Sequence, residues 1–282
     1  MTLTPERRGI PLRAVVPNAV TALALCVGLT GVRFAIAGEW ESAVYAIVAA
    51  ALLDCMDGRI ARALRGQTKF GAELDSLSDV IAFGAAPAII IHLWSLQHLP
   101  RFGWVFALAY AACMALRLAR FNARIDVEDQ PHKSAGFLTG VPAPAGAGLM
   151  LLPILLWLAS GEQWLWLRDY RLVAGWAGFS AFMVISSVAT WSLGSLRLRR
   201  SVRLEAIVLI AILGGALFSA PWETLSVVML AYLAMIPFSM MSYARVKRQR
   251  RAAASAEPLP AGPVALEPTR PAGRRKSPPN GP

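Results

Sequence analysis

Four aspartates, Asp54, Asp57, Asp75 and Asp79, stand in two apolar stretches that are each long enough to cross a bilayer. An ionisable group in such a stretch is expensive to keep there and marks a functional site by default. Asp54, Asp57, Gly58 and Ala61 recur at i, i+3, i+4 and i+7, which is one face of a helix. Asp75 and Asp79 are i and i+4 on the next helical stretch. The connection between the two is short, so the helices must run antiparallel and the four carboxylates can converge. Like charges brought together in low dielectric repel strongly. Some cation must therefore sit among them. Oxygen-only ligands suit a hard divalent ion such as Mg²⁺ or Mn²⁺. A second reading pairs Asp54 and Asp57 with Arg59 and Arg62 as buried ion pairs, which leaves Asp75 and Asp79 unexplained.

The full run is Asp54-x2-Asp57-Gly58-x2-Ala61-Arg62-x8-Gly71-x3-Asp75-x3-Asp79. It resembles the signature of the CDP-alcohol phosphotransferase family and departs from it at no fixed position. Three further stretches are similar to the phosphatidylserine synthase branch of that family. They are Asp75-Ser-Leu-Ser-Asp79-Val-Ile-Ala-Phe83-Gly84-Ala-Ala-Pro87-Ala88, Arg117-Leu-Ala-Arg120-Phe121-Asn122, and Phe137-Leu-Thr-Gly140-Val-Pro142-Ala-Pro144-Ala. So is the entry Ile10-Pro11…Pro17-Asn18-Ala-Val-Thr21.

The resemblance implies transfer of the phosphatidyl group of CDP-diacylglycerol to the hydroxyl of serine, releasing CMP. It implies that the four aspartates ligate one or, as we expect, two divalent ions, and that Asp79 is also the general base. It further implies a homodimer in a bacterial inner membrane. Gly58, Ala61 and Gly71 would be small so that the nucleotide can approach, although small residues also serve helix packing. Arg62 would hold the diphosphate through its two-pronged guanidinium. Asn18 and Thr21 either cap a helix start after Pro17 or touch the nucleotide. Arg117, Arg120 and Arg124 share one helix face, where they either anchor the membrane surface or bind the lipid phosphate or the acceptor carboxylate; Lys133 is a weaker candidate of that kind. Other acceptors, namely glycerol phosphate, inositol phosphate or choline, remain compatible. A cation transporter is a rival of a different class, but the polar residues cluster towards one side only.

The elements that must position these groups are membrane helices. Apolar residues make up 56% of the chain and charged residues 16%, too few for a soluble fold. We expect an all-α polytopic bundle of about eight spans, six in a catalytic core and two after it. The spans lie near 15–37, 41–64, 72–99, 102–124, 141–160, 171–194, 203–220 and 223–244. They would form a transmembrane domain over 15–244, after a short segment 1–14 and before a disordered basic tail over 245–282. Arginine and lysine concentrate in alternate connections, which puts both termini and the aspartates on the cytoplasmic side. The +11 net charge is thus topology signal plus tail, and favours anionic lipid head groups over nucleic acid. The run of Arg7 to Arg13 before an apolar stretch resembles a signal peptide but continues into a multi-span chain. Cys26, Cys55 and Cys113 suggest buried hydrophobes, and His92, His98 and His132 have no ligand spacing.

Overall fold

The computed structural model describes residues 12–123, 137–186, 189–191 and 203–256. Ten helices account for nearly all of them. They are α1 (Leu12–Ile36), α2 (Trp40–Ala63), α3 (Lys69–Asp79), α4 (Ala86–Trp94), α5 (Gly103–Asn122), α6 (Ala143–Met150), α7 (Leu152–Ala159), α8 (Tyr170–Ile185), α9 (Arg203–Ser219) and α10 (Pro221–Ala256). A polytopic helical membrane protein results. Val15–Ile36, Lys69–Trp94, Gly103–Asn122 and Pro221–Ser239 are long and apolar enough to cross a bilayer on their own. The remaining rods are set apart by identifiable causes. Helix α2 carries Glu41, Asp54 and Asp57 with Arg59 and Arg62; α8 and α9 have 16 and 17 residues; and α6 and α7 form one rod broken at Leu151.

Helices α1 and α2 form an antiparallel hairpin closed by a tight turn at Ala37–Glu39. There the Glu39 N–H donates to Phe34 O (2.9 Å) and the Gly38 N–H to Ala35 O (3.1 Å), the two bonds that end a helix with a left-handed residue. The next reversal, from α2 to α3, uses the same pair of bonds. Gly66 N–H donates to Ala61 O and Arg65 N–H to Arg62 O, but the left-handed residue is Arg65, with φ of +51°. A side chain at positive φ is strained, and this one flanks the aspartates. Thr68 then caps α3, accepting the Gly71 N–H on Oγ1 at 3.0 Å.

Between α3 and α4 the rod widens into a π-helical turn, Val80–Ala85, in which the Ala86 N–H reaches back to Ile81 O. Proline contributes to this. Pro87 has no N–H, so the carbonyl of Phe83 four residues earlier lacks its helical donor. The buried Tyr110 hydroxyl of α5 donates to that oxygen at 3.1 Å. The break between α6 and α7 is handled in the same way. Pro153 strands the carbonyl of Leu149, and the Trp176 indole N–H of α8 donates to it at 2.7 Å. Phe83, Ile90, Ile91, Trp94, Met114 and Met150 fill the core. Helix α10 packs on it through Met229, which lies against Gly148, and through Trp222, whose ring stands 4.5 Å from that of Tyr45.

Four expectations change. Helix α1 runs through Pro17 from Leu12, so Asn18 and Thr21 lie inside a helix and cap nothing. Helix α8 stops at Ile185, well short of 194; the extended Ser186 ends it, and Ala189–Trp191 pairs antiparallel with Phe137–Thr139. Threonine and tryptophan favour an extended chain over a helix. Helix α10 continues to Ala256, past the expected end at 244, while residues 257–282 lie outside the described residues. Cys26 and Cys55 are exposed, Cys55 at the rim of a cavity, and Cys113 is half-buried.

Candidate functional site

Helix α2 ends in a face of Asp54, Asp57, Gly58 and Ala61, and the Arg65 turn folds α3 back beside it. A cavity of about 670 Å³ opens between these two helices and the first turns of α1. One carboxylate oxygen from each of Asp54, Asp57 and Asp75 lies within 4.8 Å of the others. Asp79 stands next to this trio, within hydrogen-bonding reach of the Asp54 carboxylate. The ionisable neighbours felt by Asp54 are Asp75, Asp57 and Asp79, all acids. Among the described residues, only Asp79 also feels a cation, Arg117 of α5. Arg59 and Arg62 share the cavity wall, but neither is among the charged neighbours of Asp54 or Asp57, so the ion-pair reading of those two aspartates does not hold. Such a set of converging oxygens fits a hard divalent ion.

Asp57 is the least exposed of the four, at 4%. Thr21, at 5%, donates its hydroxyl to Asp57 Oδ2 at 2.7 Å. Thr21 thus caps no helix; it lines the cavity wall beside Asp57 with its hydroxyl turned towards that carboxylate. Asn18, Arg62, Gly58, Ala61 and Gly71 all line the cavity.

The two glycines differ in what surrounds them. A methyl group on Gly58 would meet nothing nearer than Arg62 Nη1 at 4.0 Å, so the space beside it is open to a ligand. A methyl group on Gly71 would lie 2.8 Å from Asn18 Oδ1 and 3.2 Å from Thr68 Oγ1. Gly71 is therefore small because α1 and the cap of α3 crowd it.

The arginines of α5 also separate. Arg117 interacts with Asp79 and is not among the residues that line the cavity. Among the described residues its Nε is buried without a hydrogen-bond partner, and its Nη1 contacts Met114 Sδ at 3.9 Å. Arg120 donates to Ile185 O at 3.2 Å, at the negative end of α8. Arg124, His132 and Lys133 lie outside the described residues.

Several contributors carry no chemical signal of their own in the sequence. Ser76 and Asn122 hydrogen-bond across α3 and α5, with Asn122 Nδ2 to Ser76 Oγ at 2.9 Å. Ser78 Oγ donates to Thr21 O at 3.2 Å. Both serines sit between Asp75 and Asp79, and Asn122 follows Arg120 by two. The only hint in the chain is that proximity.

Comparison with known proteins respects the same boundaries. Residues 14–191 match the CDP-alcohol phosphatidyltransferase family, and residues 202–237 match a second family described as CDP-alcohol phosphatidyltransferase 2. The chain is 37% identical over 236 residues to the CDP-diacylglycerol–serine O-phosphatidyltransferase of Mycobacterium tuberculosis, covering 84% of this chain and 81% of that one. It is 31% identical over 217 residues to the enzyme of the same name from Helicobacter pylori, covering 77% and 87%. It is 35% identical over 147 residues to the one from Bacillus subtilis, covering 50% and 79%.

Proposed function

Because the chain belongs to the CDP-alcohol phosphatidyltransferase family, we propose that the four-aspartate cavity is its catalytic centre. The protein is an enzyme that transfers the phosphatidyl group of CDP-diacylglycerol to the hydroxyl of L-serine, giving phosphatidylserine and CMP. The observation that carries the siting is the convergence of Asp54, Asp57 and Asp75 within 4.8 Å on one cavity. Asp54, Asp57, Asp75 and Asp79 would hold two divalent ions, Mg²⁺ or Mn²⁺. When bound, such ions draw negative charge from the pyrophosphate and make its lipid-bearing phosphorus easier to attack.

The chain's own groups do the rest. The open space over Gly58, flanked by Ala61, admits the flat nucleotide to the backbone of α2. Arg62 lines the same space and supplies parallel N–H donors to the diphosphate. Asp79 accepts the serine hydroxyl proton as the new oxygen–phosphorus bond forms. The bond from that phosphorus to the CMP oxygen breaks, and CMP departs with the electron pair. Among the described residues no serine or histidine lines the cavity, and the one cysteine there, Cys55, has no base beside it to activate it, so direct displacement is the simpler route. Arg117 interacts with Asp79, and its Nε has no partner among the described residues, so it would take the acceptor carboxylate. Arg120 would act by holding α8. Asn18 reaches the cavity from α1 and would touch the phosphates or sugar.

We also assign the catalytic membrane domain to residues 15–244 and a cytoplasmic tail to residues 245–282. The distribution of Arg and Lys supports a site and both termini on the cytoplasmic side. Family resemblance supports a homodimer. The test is direct. Purified protein receives CDP-diacylglycerol, Mg²⁺ or Mn²⁺, and serine, glycerol phosphate, inositol phosphate or choline in turn, and CMP release is measured. Release with serine alone is expected. Release with another acceptor and none with serine would overturn the assignment.

A further inference from the structure

One residue of α1, Thr21, hydrogen-bonds to both aspartate helices. Thr21 is buried, and its hydroxyl lies 2.7 Å from Asp57 Oδ2 on α2. Its backbone carbonyl accepts the Ser78 hydroxyl of α3 at 3.2 Å, one residue before Asp79. Thr21, Asp57 and Ser78 are exposed by only 5%, 4% and 4%, which limits the water that can reach these bonds. We propose that Thr21 is a positioning residue that fixes the rotation of Asp57 and the separation of α2 from α3, and so sets the affinity of the carboxylate cluster for its divalent ion.

The chemistry of the contact supports this. A threonine hydroxyl has one proton to donate. Two oxygens lie within its reach, Asp57 Oδ2 and, at 3.1 Å, the carbonyl of Pro17. The carboxylate is the shorter and the charged partner, and it takes the proton. With one oxygen held in this way, Asp57 turns less freely about its side-chain bonds, and its other oxygen is left for a ligand. The Pro17 carbonyl keeps the hydroxyl in one rotamer by crowding it on the other side. Threonine is suited to the position because its branched β-carbon restricts that rotation further. The Ser78 bond then carries the same reference point to α3. Hydrogen bonds that orient metal ligands typically alter metal affinity by about 10- to 100-fold.

The proposal rests on the aspartates binding a divalent ion, and the experiment separates the two claims. Mn²⁺ is titrated into full-length protein in detergent, and free Mn²⁺ is followed by electron paramagnetic resonance. Thr21→Val keeps the shape and removes the donor, and it should weaken Mn²⁺ binding about tenfold. Thr21→Ser restores the donor and should return to within about twofold of the parent. In turnover assays Thr21→Val should need more Mn²⁺ for half-maximal rate, while KM for serine at saturating Mn²⁺ stays the same. In an Asp57→Asn background, Thr21→Val should add no further loss, since its partner has already been changed. That last comparison also guards against a merely misfolded variant, which would lose binding in either background. Thr21→Val with parental Mn²⁺ affinity, or Thr21→Ser as poor as Thr21→Val, overturns the role of Thr21 alone. A parent protein that binds no Mn²⁺ overturns the metal centre and this assignment together.

Discussion

At one end of the bundle, Arg168 is enclosed by the rings of Trp40, Trp94 and Trp157, each with its centroid 5.9 Å from the guanidinium carbon. Its Nε donates to Trp94 O at 2.9 Å, and its own carbonyl accepts the Ser95 hydroxyl at 2.8 Å. At the other end, four carboxylates crowd a cavity and, among the described residues, only Asp79 feels a cation. The two sites hang on the same helix: Asp54 follows Trp40 by fourteen residues, or about 21 Å of α2. Both place charge in an apolar setting. The difference is where the compensation lies. Arg168 finds all of it within the chain, as cation–π contact and carbonyl oxygen, and so it serves as a fastener. The aspartates find little, and what completes them must come from outside. A charge in a membrane helix is thus diagnostic of function only when its partners are missing.

The contrast is tested most severely at the acidic end. Chelation with excess EDTA should abolish CMP release, and Mg²⁺ or Mn²⁺ should restore it; full activity in EDTA would erase the distinction. Asp79→Asn keeps the size but not the proton affinity, and turnover should fall by ~10²–10⁴-fold. Binding of CDP-diacylglycerol should suffer less. Near-normal turnover would mean that the base lies elsewhere. Arg62→Lys retains charge and loses the fork, so KM for CDP-diacylglycerol should rise by about tenfold with a smaller change in kcat. The glycines sharpen the comparison at finer scale. Gly71→Ala should lower the thermal midpoint slightly, because a methyl group there must push the Asn18 amide aside and crowd the Thr68 hydroxyl that caps α3. Gly58→Ala should fold normally and weaken substrate binding; the reverse pattern in a paired melting and binding experiment would refute the reading of both. Arg168→Met should be the mildest for catalysis. It should reduce stability by about 2 kcal/mol while turnover per folded molecule stays unchanged.

The helical rods and the register of the aspartates were legible because each depends on spacing within one helix. The i, i+3, i+4, i+7 face needs no knowledge of neighbours. What could not be read depends on a second helix. Gly58 and Gly71 are the same letter in the same signature, and only the approach of α1 separates an open wall from a packed one. Thr21 and Asp57 stand 36 residues apart, and no periodicity links them. Arg117 and Arg120 share a face of α5, yet one meets Asp79 and the other the end of α8. The break at Ile185 was missed because an apolar run reads alike whether the chain stays helical or extends.

The π-turn at Val80–Ala85 has a consequence for how this rod can vary. A widened turn admits an additional residue, and a residue added to a helix rotates everything beyond it by about 100° relative to what came before. The turn therefore works like an index plate between two faces on one axle. Upstream, the face carrying Asp75 and Asp79 is phased to the cavity. Downstream, the face carrying Ile90, Ile91 and Trp94 is phased to the apolar core. Ala82, pressed so closely by Gly28 that a methyl there would stand 2.8 Å from its Cβ, keeps the plate from slipping along α1. Side chains on either half can drift in identity without disturbing the other's aim, whereas a change in the number of residues between Asp79 and Ala86 must misdirect one half or the other.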